Sequence, residues 1–134
     1  MFVTNAVSHA LKLSENGFRV ILIGGELKAA TEAIVGNEAY AGLQKYNFTK
    51  GFWGANGVNR ISGFTTPDIN EAMIKECAMH HTTQRYVLCD SSKFHQISPV
   101  SFGEFSSAKI ITDCLPEKDY ELCDNLIIVD EEKG

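Results

Sequence analysis

The sequence predicts an α/β domain with a mostly parallel sheet flanked by helices, and three observations support this. Short apolar runs alternate along the chain with longer amphipathic segments. The run from Arg19 to Ile23 is almost continuously apolar, which is typical of a strand buried on both faces. The three prolines, Pro67, Pro99 and Pro116, each fall at a predicted boundary between elements.

The first third of the chain is predicted to contain two strands and two helices. The expected elements are a strand at residues 2–4, a helix at 6–15, a strand at 19–23 and a helix at 33–46. Asn16-Gly17 ends the first helix, because glycine is favoured just beyond a helix end. Gly36 and Gly42 lower the helix propensity of the second.

The rest of the chain is predicted to add four strands around one strong helix. The expected elements are a strand at residues 50–55, a polar glycine-rich stretch at 56–66, a helix at 67–80, strands at 85–89, 109–112 and 126–129, and a short helical or looped segment at 116–122. Thr66 can cap the strong helix, and Pro67 suits its first position. Asp68 and Glu71 favour the positive end of its dipole.

Length, composition and charge limit the classes of protein to which this chain can belong. The chain has 134 residues and a formal net charge of −5, which is typical of one globular domain that buries roughly two thirds of its unfolded surface. Its basic residues are scattered, so the chain is not expected to grip a nucleic-acid backbone. No apolar stretch reaches the ~20 residues of a membrane span, and no export signal is visible. We therefore expect a cytoplasmic protein whose longest charge run, residues 130–133, is a solvated tail.

Cysteine and histidine patterns predict neither a metal nor a cofactor. The four cysteines form no C-x-x-C pair, so free thiols are expected, with Cys77 and Cys89 buried and inert. His80 and His81 are adjacent and lack the i, i+4 spacing of metal ligands on a helix. Dinucleotide, P-loop and serine-hydrolase motifs are absent from the sequence.

Ligands of parallel sheets bind at the carboxyl ends of the strands, which gives four segments as candidate sites. They are Thr4-Asn5, Gly24-Gly25-Glu26, Asn56-Gly57 and Asp90-Ser91-Ser92-Lys93. The last of these offers a lysine and hydroxyls to an anion. Ordinary turns with exposed polar side chains also explain these segments, and both interpretations stay open.

Other residues also allow two interpretations. Glu71 and Lys75 share a helix face and could line a pocket or form a surface ion pair. Phe52 and Trp53, in mid-strand, are most simply core residues. The aromatic residues Phe94, Phe102 and Phe105 could pack on a neighbouring molecule or cover a pocket.

The order of the motifs resembles a known family. The motifs are V-T-N at residues 3–5, I-L-I-G-G-E at 21–26, G-F-W-G-A-N-G-V at 51–58, G-F-T-T-P-D-x-x-E-A-x-x-K at 63–75, D-S-S-K-F at 90–94 and I-I-T-D at 110–113. Over residues 3–129 this series resembles the C-terminal effector-sensing domain of the DeoR family of bacterial transcriptional regulators. The G-F-T-T-P-D and D-S-S-K-F motifs, at that separation, carry most of the resemblance.

The resemblance implies a fold like that of ribose-5-phosphate isomerase and glucosamine-6-phosphate deaminase. It also implies a domain that senses a phosphorylated sugar, supports homo-oligomers, is not an enzyme, and controls operator binding by an upstream winged helix-turn-helix, usually as a repressor. The ligand-binding residues expected from the strand ends and the motifs are Asn5, Gly25, Asn56, Gly57, Asp68, Glu71, Lys75, Asp90, Ser92 and Lys93. Many relatives have Asp where this chain has Asn56, and a neutral amide cannot serve as a carboxylate.

Two parts of the family pattern have no counterpart in residues 1–134. They are the helix-turn-helix and the sensor's first strand and helix, with a Gly-Thr/Ser-rich loop that cradles phosphate in relatives. We therefore expect a partial effector-sensing domain that meets operator DNA only through the missing N-terminal domain. The alternatives are a sugar-phosphate isomerase-like enzyme with Glu71 or Asp68 as general base, and a protein-interaction domain that uses residues 94–105.

Overall fold

The computed structural model describes residues 1–129, and the predicted charged tail at residues 130–133 lies outside them. The chain divides into two compact units, Met1–Tyr46 and Asn47–Gly134. Each unit has its own sheets.

The first unit begins with a strand–helix–strand arrangement. Strand β1 (Phe2–Thr4) and strand β2 (Val20–Leu22) pair in parallel, and helix α1 (Val7–Glu15) connects them. The helix is followed by Gly17 in the left-handed region (φ +84°), where glycine carries no Cβ penalty. The elements predicted for residues 2–23 are therefore confirmed. The expected burial of the second strand on both faces is wrong, because Val20 and Ile21 are only half-buried and Leu22 is exposed.

The predicted helix at residues 33–46 is wrong in its first part. Ala33–Val35 form strand β4, which pairs antiparallel with strand β3 (Glu26–Lys28), and helix α2 covers only Asn37–Leu43. All three residues of β4 are buried. Gly36 separates β4 from α2 with φ +99°, a conformation that no helical residue adopts.

Over residues 47–129, the second unit has seven strands, one long helix and three short 3-10 helices. They are strands β5 (Phe48–Gly54), β6 (Gly57–Asn59) and β7 (Gly63–Thr66), helix α3 (Ile69–His80), strand β8 (Thr82–Leu88), 3-10 helix Ser91–His95, strand β9 (Val100–Gly103), 3-10 helix Phe105–Ser107, strand β10 (Lys109–Thr112), 3-10 helix Lys118–Leu122 and strand β11 (Leu126–Ile128). Four strands form a parallel sheet in the order β11-β10-β8-β5. The predicted α/β class is confirmed.

The polar stretch at residues 56–66, predicted without strands, is a β-hairpin. Strands β6 and β7 pair antiparallel, and β9 extends them to a three-stranded sheet. The turn is ordered by Asn59, whose Oδ1 accepts the backbone N–H groups of Ile61 (2.8 Å) and Ser62 (3.0 Å). Such a side chain makes a turn out of a sequence that looks like an open loop.

Helix α3 begins two residues later than the sequence predicts. Its N-cap is Asp68, whose Oδ1 accepts the backbone N–H groups of Asn70 (2.7 Å) and Glu71 (3.3 Å). The predicted cap, Thr66, is instead buried as the last residue of β7. A carboxylate and a hydroxyl can both cap a helix. Because Thr66 lies in β7, Asp68 caps α3 instead.

The core of the second unit lies where the sheets, α3 and the 3-10 helices meet. Its buried members are Val58, Phe64, Ala72, Met79, Val87, Phe94, Phe102, Ala108, Ile110 and Tyr120. Phe94 and Phe102 therefore belong to the core. Phe52 does not: it is 60% exposed and stacks on Tyr86 with ring centroids 5.3 Å apart. Alternate residues of a strand point to opposite faces, so only Trp53 of this pair packs against the core.

Candidate functional site

A cleft of about 530 Å³ opens at the carboxyl ends of the parallel strands in the second unit. Its lining comes from the ends of β5, β8 and β10 and from the residue that follows β11. The lining residues are Gly54, Ala55, Leu88, Cys89, Asp90, Lys93, Ile111, Thr112, Asp113 and Val129. This is the edge at which the topology of a parallel sheet places a ligand.

The segment after β8 carries the polar residues that the sequence singled out. We call residues 90–95 the Asp90 loop. Asp90 is the N-cap of its 3-10 helix: Oδ1 accepts the backbone N–H of Ser92 at 2.9 Å and also a close hydrogen bond from the Ser92 hydroxyl. Asp90 and Lys93 line the cleft, whereas the Ser92 hydroxyl is turned back onto Asp90.

Asp113, the residue after β10, is a cleft residue that the strand-end argument missed. Its Oδ1 accepts the backbone N–H of Ser91 at 2.7 Å and lies 3.3 Å from the Thr112 hydroxyl. The hydrogen bond from Ser91 is the main cause that lowers the pKa of the Asp113 carboxyl. The signal was present in the sequence, since Asp113 follows one strand as Asp90 follows another.

The environment of Cys89 reports the charge of the cleft. Burial raises the pKa of this thiol to about 11, with further contributions from Asp90 and Asp113, while Lys93 acts in the opposite direction. The thiol therefore stays protonated at neutral pH, as the predicted inert cysteine requires.

The cleft combines two carboxylates with one ammonium group among its described lining residues. Carboxylates accept hydrogen bonds from hydroxyl groups, and the lysine donates to oxyanions. Apolar groups of Leu88, Ile111 and Val129 complete the lining. A small molecule with both hydroxyl and anionic groups matches this combination.

Lys75 does not line the cleft but contacts Gly54, which does. Its Nζ donates to the carbonyl of Gly54 at 2.8 Å and lies 5.0 Å from the ring centroid of Phe102. Burial lowers the pKa of the Lys75 ammonium, and the charge of Glu71, one turn earlier on α3, partly offsets this. Lys75 thus holds the end of β5 and is not among the lining residues.

Three further predicted ligand residues lie near the start of α3 or in the hairpin. The Asn56 Oδ1 lies 3.3 Å from the Thr66 hydroxyl, and Asp68 caps α3. Gly57 is buried, and a Cβ there would lie 2.3 Å from the Gln96 carbonyl. Close packing of the backbone is thus sufficient reason for this glycine.

The remaining two predicted residues belong to the first unit. Asn5 uses its Nδ2 to donate to the Ile34 carbonyl at 3.1 Å, and its own carbonyl accepts the Ile34 N–H at 2.7 Å. Gly25 has φ +152°, and a Cβ there would lie 2.8 Å from the Ile34 side chain. Gly25 also lines a cleft of about 310 Å³ within this unit, together with Glu26, Val35, Gly36, Asn37 and Glu38.

Residues 1–129 contain neither a cluster of metal-ligating side chains nor a membrane-spanning helix. No group of three or more His, Cys, Asp or Glu side chains there is placed to hold a metal ion. No helix in the same residues is long and apolar enough to cross a membrane.

The second unit is an α/β domain with a cleft at the carboxyl ends of its parallel strands. The sequence model of the DeoR C terminal sensor domain matches residues 1–114. The chain therefore belongs to the DeoR C-terminal sensor domain family.

Curated relatives of this chain are named as transcriptional regulators. An "uncharacterized HTH-type transcriptional regulator FruR" of Bacillus subtilis is 42% identical over 110 residues, which cover 82% of this chain and 44% of the relative. The "HTH-type transcriptional regulator GlpR" of Haloferax volcanii is 35% identical over 83% of this chain and 44% of its own length. A "lactose phosphotransferase system repressor" of Staphylococcus aureus is 37% identical over 66% of this chain and 35% of its own length. The chain thus spans less than half the length of these relatives.

Proposed function

We propose that this chain is the effector-sensing domain of a transcriptional repressor of a sugar-utilisation operon. A phosphorylated sugar is its effector, and binding of the sugar changes the affinity of an upstream winged helix-turn-helix for operator DNA. The observation that carries the proposal is the cleft at the carboxyl ends of β5, β8 and β10, with Asp90, Lys93 and Asp113 in its lining. The regulator acts in the cytoplasm as a homo-oligomer and is not an enzyme.

The chemistry of the cleft supports a sugar phosphate as its ligand. The carboxylate of Asp90 can accept hydrogen bonds from sugar hydroxyls, and Lys93 can donate to the phosphate. The name of the Staphylococcus aureus relative joins repression to a lactose phosphotransferase system, which favours a sugar phosphate over a free sugar.

One lysine beside two carboxylates does not neutralise a phosphate dianion. We therefore propose that further phosphate donors come from the Gly-Thr/Ser-rich loop of the family pattern. Like-charge repulsion from the carboxylates raises the dissociation constant unless such donors are present. The longer regulator should bind the effector more tightly than residues 1–134 alone.

Binding of sugar phosphates to the regulator that contains this chain tests the proposal. A tight binder at 100 times its dissociation constant adds about 2.7 kcal/mol to the stability of the domain, which a thermal-shift panel of fructose 1-phosphate, fructose 6-phosphate and tagatose 6-phosphate can detect. Lys93→Gln should weaken binding about tenfold or more, because a hydrogen-bonded charge pair is lost. Lys109→Gln, at the amino end of β10, is the matched control and should bind as the wild type does. If Lys93→Gln and Lys109→Gln bind the sugar phosphate equally well, Lys93 is not part of the binding site.

The enzyme alternative has its own test. An aldose–ketose isomerase needs a general base at the substrate, and Asp68 is engaged in capping α3. Turnover of a sugar phosphate that is lost in Glu71→Gln would favour the enzyme over the sensor.

A further inference from the structure

The Asp90 loop is attached to the rest of the cleft by a contact that crosses between two strand ends. The loop follows β8, whereas Asp113 follows β10, the next strand in the parallel sheet. The carboxylate of Asp113 accepts the backbone N–H of Ser91 at 2.7 Å. Ser91 is the first residue of the 3-10 helix that carries Lys93.

This N–H group has no partner inside its own helix. The first N–H groups of a helix point away from its hydrogen-bond ladder and need outside acceptors. Asp90 satisfies the N–H of Ser92, and Asp113 satisfies that of Ser91. Both ends of the contact are exposed to solvent. The contact therefore contributes more to the orientation of the Asp90 loop than to the stability of the domain.

We propose that Asp113 is a positioning residue of the effector site, whose carboxylate fixes the Asp90 loop so that Lys93 faces the cleft. Asp113 acts through the backbone of Ser91, and contact with the effector is not required. The role of Asp113 in effector binding rests on the proposed function, whereas its effect on the loop can be tested without any ligand.

Four single variants separate this role from a charge effect. Asp113→Ala removes the acceptor, whereas Asp113→Asn keeps an oxygen acceptor and removes the charge. Ser91→Pro removes the donor. Proline suits the first helical position, and the extended backbone of Asp90 (φ −77°, ψ 164°) is compatible with a following proline. Ser91→Ala keeps the N–H group and is the matched control.

We call the hydrogen bond from the Ser91 N–H group to the Asp113 carboxylate the clamp. Amide hydrogen exchange of residues 91–95 in the full chain, without effector, tests it. Asp113→Ala and Ser91→Pro should each speed exchange of the remaining amides roughly five- to tenfold, as expected for loss of one hydrogen bond. The double variant should exchange no faster than either single variant, because both remove the same contact. Asp113→Asn and Ser91→Ala should stay within about twofold of the wild type. Additive effects, or exchange in Asp113→Ala that matches the wild type, would overturn the clamp.

Binding of the sugar phosphates named above to the regulator that contains this chain tests the consequence for the effector. Asp113→Ala and Ser91→Pro should raise the dissociation constant about tenfold, and Asp113→Asn should restore affinity to near the wild-type value. If Asp113→Asn binds as poorly as Asp113→Ala, the charge of Asp113 acts on the ligand and the positioning role is wrong. If the wild-type regulator binds no sugar phosphate while the exchange pattern holds, the proposed effector fails and the clamp stands.

Discussion

Single residues of the cleft show how its electrostatics follow from its architecture. Asp90 and Asp113 follow neighbouring strands of one parallel sheet, and the charges of both carboxylates act on the thiol of Cys89. Each carboxylate accepts a backbone N–H group, from Ser92 at Asp90 and from Ser91 at Asp113. Cys89 lines the same cleft, and the reactivity of its thiol therefore depends on these two carboxylates.

We expect Cys89 to resist alkylation in the folded protein. Its pKa is raised to about 11, chiefly by burial. Because a raised thiol pKa favours the neutral form, the thiolate fraction at pH 8 is only about one in a thousand. Iodoacetamide labelling at pH 8, followed by mass spectrometry, should modify the exposed Cys114 well before Cys89.

The labelling has an internal control, because both cysteines should react when the chain is unfolded in urea. The rate for Cys89 should rise with pH up to about 11. Labelling of Cys89 at pH 8 as fast as that of Cys114 would show that burial and the neighbouring carboxylates do not raise the pKa of this thiol.

At the scale of elements, helix α3 supports the cleft from behind the sheet. Its cap, Asp68, sets where the helix begins, and its Lys75 reaches the carbonyl of Gly54 at the end of β5. The ammonium lies over the ring of Phe102, so the stem of this lysine also covers apolar surface. The helix thereby fixes the strand end that forms one wall of the site.

Lys75→Met should destabilise the domain by about 1 kcal/mol. The variant keeps the apolar stem but removes the donor to Gly54, and the carbonyl of this exposed glycine can turn to water. Urea unfolding measures the change. The exposed Lys118 offers the matched control Lys118→Met, which should change stability by less than about 0.5 kcal/mol. Equal effects of the two variants would mean that the bond from Lys75 to Gly54 contributes nothing.

The elements also show what could be predicted from the sequence and what could not. The βαβ arrangement at residues 2–23 and the strands β8 and β10 follow from apolar patterning. The β6–β7 hairpin and β4 could not be predicted in this way, because the Asn59 side chain and the left-handed Gly36 shape them. Within the site, the strand-end rule located the Asp90 loop. The contacts of Asp113 and Lys75 depend on strand order and on which side of the sheet α3 packs, and the linear sequence states neither.

At the scale of the whole molecule, the chain is a sensor domain of the DeoR family that covers less than half of relatives named as regulators. Its proposed output is a change in operator binding, which requires that the effector bind one state of the regulator better than another. A coupling of 1–3 kcal/mol, typical of such switches, corresponds to about 5- to 150-fold in affinity.

The most direct test is operator binding by the regulator that contains this chain, titrated with individual sugar phosphates. We expect one sugar phosphate to weaken operator binding about tenfold or more, and the unphosphorylated sugar to have no effect. Lys93→Gln should shift this response to higher effector concentration without changing operator affinity in the absence of effector. Operator binding that no sugar phosphate disturbs would contradict the assignment of this domain as a sugar-phosphate sensor.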